Sequence, residues 1–315
     1  MQLEGLHHVT MVTGDAQRTI DFYSGVLGLR LVKTTVNFDQ PEAYHLYFGD
    51  ERGRPGSILT WFEFRGARKG RAGAGMVHRV QLAVPSVQAL ERWGRRLQGL
   101  GVPVSGGSSG LLVVDPDGLE LELLVHDIGE RLVAEHPDIP AEDAICGVLG
   151  IRAFSGNPDA TALVLTDLLG FGREPGDGEI REWTAFGPKQ HVHLTLDPAP
   201  SAPGIPGAGT VHHVAWASRD EDHDAWRTRM QDAGASITPV IDRDYFHAIY
   251  FREPGGILFE IATNGPGFAT DEDVAHLGER LRLPAQHEAR REELAGALTP
   301  LVHPRTGEPV SFEAP

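Results

Sequence analysis

LHHVTMVTGDAQRTIDFYSGVLGLRL, residues Leu6–Leu31, decides the fold, because the chain contains it twice in altered form. VLGIRAFSGNPDATALVLTDLLGFGR, Val148–Arg173, follows it at a constant offset: Gly14 falls on Gly156, Leu27 on Leu169 and Gly28 on Gly170. Each copy reads as a short strand, a glycine turn with Asp15 or Asn157 at a helix start, an apolar-periodic helix and a glycine stop. Repeats of this kind define the architecture before any single residue does.

A second pair extends the pattern. Val77–Val104, VHRVQLAVPSVQALERWGRRLQGLGVPV, matches His212–Ile237, HHVAWASRDEDHDAWRTRMQDAGASI. Each ends in a hairpin: Asp115-Pro116-Asp117-Gly118 before LELELL, and Glu253-Pro254-Gly255-Gly256 before ILFEIA. The Pro and Gly residues make the turns, and the alternation after them makes strands. The chain therefore reads as four βαβββ units near 5–65, 76–127, 146–197 and 210–264. An isolated unit would leave a sheet edge and an apolar face in water. Paired units curl into a half-open barrel with a cleft. The expected class is α+β: four βαβββ modules forming two half-open mixed β-barrels, plus a C-terminal helical segment. Modules one and two occupy 1–127, a charged, Pro-containing linker 128–145, modules three and four 146–264, and the helical tail 265–315.

Bulk properties bound the function. A length of 315 residues suffices for two domains with real cores. The net charge of -16 argues against nucleic acid, whose phosphates need clustered Lys and Arg. No apolar run approaches the roughly 20 residues of a bilayer span, and Met1–Gly5 lacks the features of a signal peptide. Cys146 is the single cysteine, which excludes an intrachain disulfide and a cysteine-rich metal site. A reducing cytoplasm is the expected location, and a homodimer is left open.

Histidines fall at matching points of the units. Unit one opens with His7 and His8, unit two with His78, and unit four with His212 and His213; unit three has Gly150 at the matching place. Glu122 and Glu260 each lie six positions after the hairpin proline, Pro116 or Pro254. Six positions after Pro55 stands Trp61, with Thr60 beside it, and Trp61 cannot ligate. A lone strand histidine is usually structural, but a carboxylate amid Ile257-Leu258-Phe259-Glu260-Ile261 is costly unless paired or metal-bound. Two imidazoles and one carboxylate form the facial donor set of non-heme Fe(II) oxygenases, leaving coordination positions open. Two triads fit by composition: His8 with His213 and Glu260, or His8 with His78 and Glu122. The surroundings favour unit four, where Arg243 and Tyr250 can face the cleft; unit two has Ser105 and Leu112 at those places. His78 and Glu122 then read as a remnant. His45 reads as structural or pocket-lining.

The stretch from Leu6 through Phe62, together with GTVHHVAWAS and DRDYFHAIYFREPGGILFEIATNGPGF, resembles the ring-cleaving dioxygenases of the vicinal-oxygen-chelate superfamily. Within that group it is similar to the hydroquinone and chlorohydroquinone 1,2-dioxygenases, over nearly the whole chain. The resemblance implies pairing of unit one with four and of two with three. It implies Fe(II), or Mn(II) or another divalent metal in its place, on His8, His213 and Glu260. It further implies that His7, Thr10, His212, Arg243 and Tyr250 line the pocket or support the ligands. Alternation along the strand puts His7 on the opposite face from His8, which weakens a direct role for it. The expected partners are a small dihydroxylated aromatic and O2. The rivals are a glyoxalase-like lyase or isomerase, which would want a fourth ligand from unit one, and a non-catalytic small-molecule binder, which would not need the triad.

Overall fold

The computed structural model describes residues 1–107, 110–127, 129–176, 178–188 and 190–312. The first residue of the expected linker and the last three of the tail lie outside the described residues. Module one contributes β1 (Leu6–Thr13), β2 (Arg30–Val36), β3 (Tyr44–Gly49) and β4 (Ile58–Glu63). Module two contributes β5 (Met76–Val84), β6 (Val104–Gly107), β7 (Gly110–Val114) and β8 (Glu120–Val125). Module three contributes β9 (Val148–Phe154), β10 (Gly172–Arg173), β11 (Arg181–Phe186) and β12 (His191–Asp197). Module four contributes β13 (Val211–Ser218), β14 (Ile241–Asp242), β15 (Phe246–Arg252) and β16 (Leu258–Pro266).

These strands form two eight-stranded mixed sheets. One runs β14-β15-β16-β13-β1-β4-β3-β2 and the other β10-β11-β12-β9-β5-β8-β7-β6. Modules one and four are thus joined through the antiparallel β1–β13 seam, and modules two and three through β5–β9. Each sheet draws on both halves of the chain. Within a module, the first and last strands run parallel and the rest are hairpin-paired. The helix of each module makes the crossover between its first two strands.

Local chemistry sets the helix starts. The side chain of Asp15 accepts from the Arg18 amide, and Asn157 and Ser86 act in the same way at α3 (Pro158–Leu163) and α2 (Val87–Gly99). α1 (Ala16–Ile20) and α3 each pass into a short π-helical turn before the glycine stop at Gly28 or Gly170, both in the left-handed region. α4 (His223–Asp232) completes the fourth module. The tail is less regular than its sequence suggests. It makes 3-10 turns before one seven-residue helix, α5 (Arg291–Ala297). No helix among the described residues is long and apolar enough to cross a membrane.

The core is continuous across the modules. Tyr23, in the π-helical turn after α1, packs on Trp61 with 3.9 Å between ring centroids, both essentially inaccessible. Burying each such ring contributes roughly 1.5–3 kcal/mol. The Tyr23 hydroxyl donates to Asp115, 3.0 Å, at the hairpin of module two. Asp115 Oδ1 also accepts from the Gly118 and Leu119 amides, 2.7 Å each, which shapes that turn. Burial pushes the Asp115 carboxyl up to about 6, against these hydrogen bonds, which lower it. An unfolded Asp releases its proton near 3.9, so the native state holds a proton that the unfolded state has lost. Stability from this group is therefore present at low pH and falls as pH rises toward about 6, by roughly 2–3 kcal/mol at most. Denaturant unfolding at pH 4.5 and pH 7 should show the difference between wild type and Asp115→Asn shrinking or reversing at the higher pH. A constant difference would contradict this.

Candidate metal centre

The seam between β1 and β13 carries two β-bulges. The register steps from Leu6↔Trp216 to His8↔Ala215, and from Thr10↔His213 to Met11↔Val211. His7 and His212 are the extra residues. Each bulge breaks the alternation and brings a histidine pair together: His7 Nδ1 lies 2.8 Å from His8 Nδ1, and His212 Nδ1 lies 2.8 Å from His213 Nδ1. The strict alternation that put His7 on the far side of the strand therefore fails here, and His7 lies against His8.

Glu260 comes from the apolar strand β16, which runs parallel to β13 with Glu260 opposite Ala215. It meets both histidines. His213 Nε2 is 2.9 Å and His8 Nε2 is 3.4 Å from Glu260 Oε2, and the two Nε2 atoms are 3.2 Å apart. One ligand atom from each of the three residues lies within 4.8 Å of the other two. All three side chains are buried, Glu260 completely.

The donor set fits a divalent cation. Both Glu260 oxygens are buried without a properly directed hydrogen bond. An unsatisfied buried carboxylate is costly, and a cation between it and two imidazole lone pairs removes the cost. Burial alone pushes the Glu260 carboxyl up, but His8 and His213 outweigh that and hold it well below its ordinary value. Burial, with the neighbouring imidazole, drives His7 down to about 3 and His212 down to about 4. Both are neutral at physiological pH, so their Nδ1 atoms can accept from the Nδ1–H of His8 and His213. That tautomer turns the Nε2 lone pairs of His8 and His213 toward Glu260. The backbone of Thr263 takes the remaining bond of His7.

Above this group lies a cavity of about 470 Å³, lined among others by His8, His45, Phe62, His212, His213, Arg243, Phe246 and Tyr250. Tyr250 stands opposite Glu260 across β15–β16. Arg243 Nε donates to the Tyr250 hydroxyl, 3.2 Å, and its guanidinium lies over the rings of Tyr250 and Phe38, 5.4 and 5.1 Å from their centroids. The next residue, Asp244, is the single non-glycine residue in the left-handed region among those described, with φ 63°. Its amide is fixed on the Asp242 side chain, 2.8 Å. Such backbone strain is tolerated where the surrounding structure over-determines it. Burial first, then Glu260, raises the Tyr250 hydroxyl far above its ordinary value, so it remains a proton donor. Thr10 does not line the cavity. It bonds Thr60, 2.9 Å between hydroxyls.

One reading of unit one changes. In β4 it is Thr60, paired with Thr10, that stands where Glu260 stands in β16, two residues beyond the histidine partner. Trp61, reached by counting from Pro55, points into the core. Thr60 also bonds His45 Nε2, 2.8 Å, and His45 Nδ1 meets the Tyr47 hydroxyl, 2.9 Å. His45 faces the cavity, and burial, then His8 and His213, keeps it well below its ordinary pKa. Its sequence context, AYHLYFGD, gave only a weak signal, because both partners come into view only when β3 lies beside β4.

The remnant reading of unit two changes as well. The β5–β9 seam has the same two bulges, and His78 is the extra residue there, as His7 and His212 are in the first sheet. Arg79 holds the place of His8, beside Gly150. Its guanidinium meets Glu120, 2.7 Å, and Glu122, 3.5 Å. His78 instead contacts Asp197, 2.8 Å, and stacks on Phe154. Arg79 thus pairs with Glu122 where the first sheet has His8, and among the described residues no second group of three candidate ligands converges.

A family model for the Glyoxalase/Bleomycin resistance protein/Dioxygenase superfamily matches residues 5–123 and 146–261. The chain is 44% identical over 301 residues to MhqO of Bacillus subtilis (strain 168), which carries the name of a ring-cleaving dioxygenase; the match covers 94% of this chain and 96% of that one. It is 33% identical over 310 residues to the chlorohydroquinone/hydroquinone 1,2-dioxygenase of Sphingobium indicum, covering 93% and 95%. A crystal structure of a Bacillus subtilis subsp. subtilis str. 168 protein, described as a dioxygenase, superposes with a TM-score of 0.91 at 42% identity, over 95% of this chain and 98% of that one.

Proposed function

The chain belongs to the glyoxalase/bleomycin resistance protein/dioxygenase superfamily, and on that premise we propose that it is an Fe(II)-dependent dioxygenase that opens a hydroquinone- or catechol-like ring with O2. The observation that carries the reading is the donor set of His8, His213 and Glu260, which converge beneath the cavity with no fourth such ligand among the described residues. Two imidazoles and a carboxylate on one face suit a metal that must also accept substrate and O2. A glyoxalase-type lyase or isomerase would want a carboxylate where Thr60 stands, and the Thr60 hydroxyl is engaged by Thr10 and His45. The full-length relatives named above support ring cleavage.

When bound, Fe(II) supplies Lewis acidity toward a phenolic oxygen and one-electron chemistry with O2; Mn(II) is the substitute. The protein supplies the rest. Arg243 offers a fixed cation to the ionised ring. Tyr250, already accepting from Arg243, keeps its own proton available to the cavity. His45 is neutral and can take a substrate proton, with the Thr60 and Tyr47 hydroxyls beside its two nitrogens. His7 and His212 hold the ligand imidazoles in the productive tautomer, and Thr10 steadies Thr60. The aromatic walls Phe62 and Phe246 exclude water and match a flat ring. A cytoplasmic location belongs to the same proposal.

The test is direct. The protein, loaded anaerobically with Fe(II), is mixed with hydroquinone, substituted hydroquinones or catechols in an oxygen electrode. One O2 should be consumed per ring lost, with both oxygen atoms recovered in the acyclic product. Stoichiometric iron with no O2 uptake across this panel would overturn the proposal.

A further inference from the structure

One wall of the cavity is a loop, Asn37–Gln40, between β2 and β3. The loop is folded on itself. The Asn37 side chain accepts from the Asp39 and Gln40 amides, 2.9 and 3.2 Å, and the Asn37 and Ala43 amides close it through Ala43 O and Gln40 O. Its inner side meets Arg243, with the Phe38 ring under the guanidinium and Asp39 Oδ2 3.8 Å from Nη2.

The outer side of the same loop is held by the C-terminal tail. Gln286 Nε2 and His287 Nε2 lie 2.9 and 2.8 Å from the Phe38 carbonyl, and Arg290 Nη2 donates to Glu42, 2.7 Å. The tail is itself anchored to the edge strand β2. Lys33, fully buried, pairs with Asp271 at 2.6 Å and with Glu272; the Thr34 hydroxyl donates to Gly278 O, 3.0 Å, and the Arg282 amide to Thr34 O, 2.9 Å. The far end is seated by Leu294, Leu298 and Leu301, all buried, and by the Tyr44 hydroxyl on Thr299 O, 2.8 Å. The internal bonds shape the loop, and the tail contacts fix where it sits against the pocket.

We propose that the C-terminal tail is a positioning element for the substrate pocket: Gln286, His287 and Arg290 fix the Asn37–Gln40 wall, and through Phe38 and Asp39 that wall fixes the aim of Arg243. The inference rests on the dioxygenase reading for its kinetic part only. Gln286, His287 and Arg290 are positioning residues, since they reach the substrate through the loop. Arg243 binds the ring in ground and transition states alike, so loosening it should raise KM and spare kcat.

The experiment uses the full-length, Fe(II)-loaded protein with Gln286→Ala/His287→Ala, and His287→Gln as the conservative variant that retains an N–H donor. Amide hydrogen exchange over 37–43 and steady-state oxygen uptake with hydroquinone are measured together. In the double variant, exchange and KM should each rise roughly tenfold, the size expected for two lost hydrogen bonds, with kcat and iron content within twofold of wild type. His287→Gln should recover most of both. Unchanged exchange over 37–43 would overturn the proposal, as would raised exchange with unchanged KM. A fall in kcat with lost iron would also overturn it, since the tail would then be a general stabiliser. If wild type takes up no oxygen with hydroquinone or with any other ring of that panel, the dioxygenase reading fails, and the exchange result alone decides whether the tail holds the wall.

Discussion

His213→Ala should leave the protein without stoichiometric metal and reduce oxygen uptake to background. In the proposed metal set, His213 Nε2 is one of three ligand atoms and the nearer imidazole nitrogen to Glu260, at 2.9 Å. A bound transition metal gains on the order of 10 kcal/mol from a full set of ligands, so losing one of three costs roughly three orders of magnitude in affinity. The substitution also takes away the nearer of the two imidazoles beside the buried Glu260, leaving His8 at 3.4 Å. An unpaired buried carboxylate costs roughly 3–5 kcal/mol, so the melting temperature should fall too. His78→Ala is the matched control. It removes a contact to Asp197 and a stack on Phe154 in the other sheet, and should cost about 1–2 kcal/mol of stability with iron content unchanged. Metal analysis of the two purified variants is the measurement. Iron lost from the His78 variant and kept in the His213 variant would move the site to the other sheet.

His45→Phe should lower kcat by a factor of about 10²–10³ while the protein retains its iron, since a general acid–base group is commonly worth that much. Phenylalanine preserves the ring that packs on Phe62, 4.3 Å between centroids. It removes the nitrogens facing Thr60 and Tyr47 and leaves two buried hydroxyls short of a partner. Some stability will be lost with them, so the variant is read by kcat per bound iron. Tyr250→Phe gives the complementary test. It removes the hydroxyl beside Arg243 and should cost a smaller factor, roughly tenfold to hundredfold. Activity per iron unaltered in both variants would show that neither group handles a proton in the slow step.

Much of the architecture was legible in the residues because the repeat is spaced regularly. A glycine, a helix and a glycine stop recurring from Gly14–Gly28 at Gly156–Gly170 leave few other folds. Glu260 was legible because a carboxylate in an apolar strand demands an explanation. What periodicity could not give was strand partnership, since nothing in the spacing says which module meets which. Bulges were also hidden. Alternation placed His7 away from His8, and the extra residue at the seam brought the two together. Counting from the hairpin proline worked where the turns were alike and slipped by one in module one. There Thr60, not Trp61, occupies the fourth corner. That Arg79 takes the register position of His8 could be seen only once the two seams were superposed.

The seam between β1 and β13 has a further implication for biosynthesis. His8 leaves the ribosome more than two hundred residues before its partners His213 and Glu260. Until module four is synthesised, β1 has one open edge and the future cation-binding group is a single imidazole. Domains generally fold as units during translation, the earlier part first, but here the first-made strand waits for the last-made ones. On the proposed reading, metal capture is therefore among the final events of maturation. A chain that terminates early, even just short of Glu260, lacks one of the three groups that would hold the proposed metal, so the incomplete polypeptide would carry no centre able to react with oxygen.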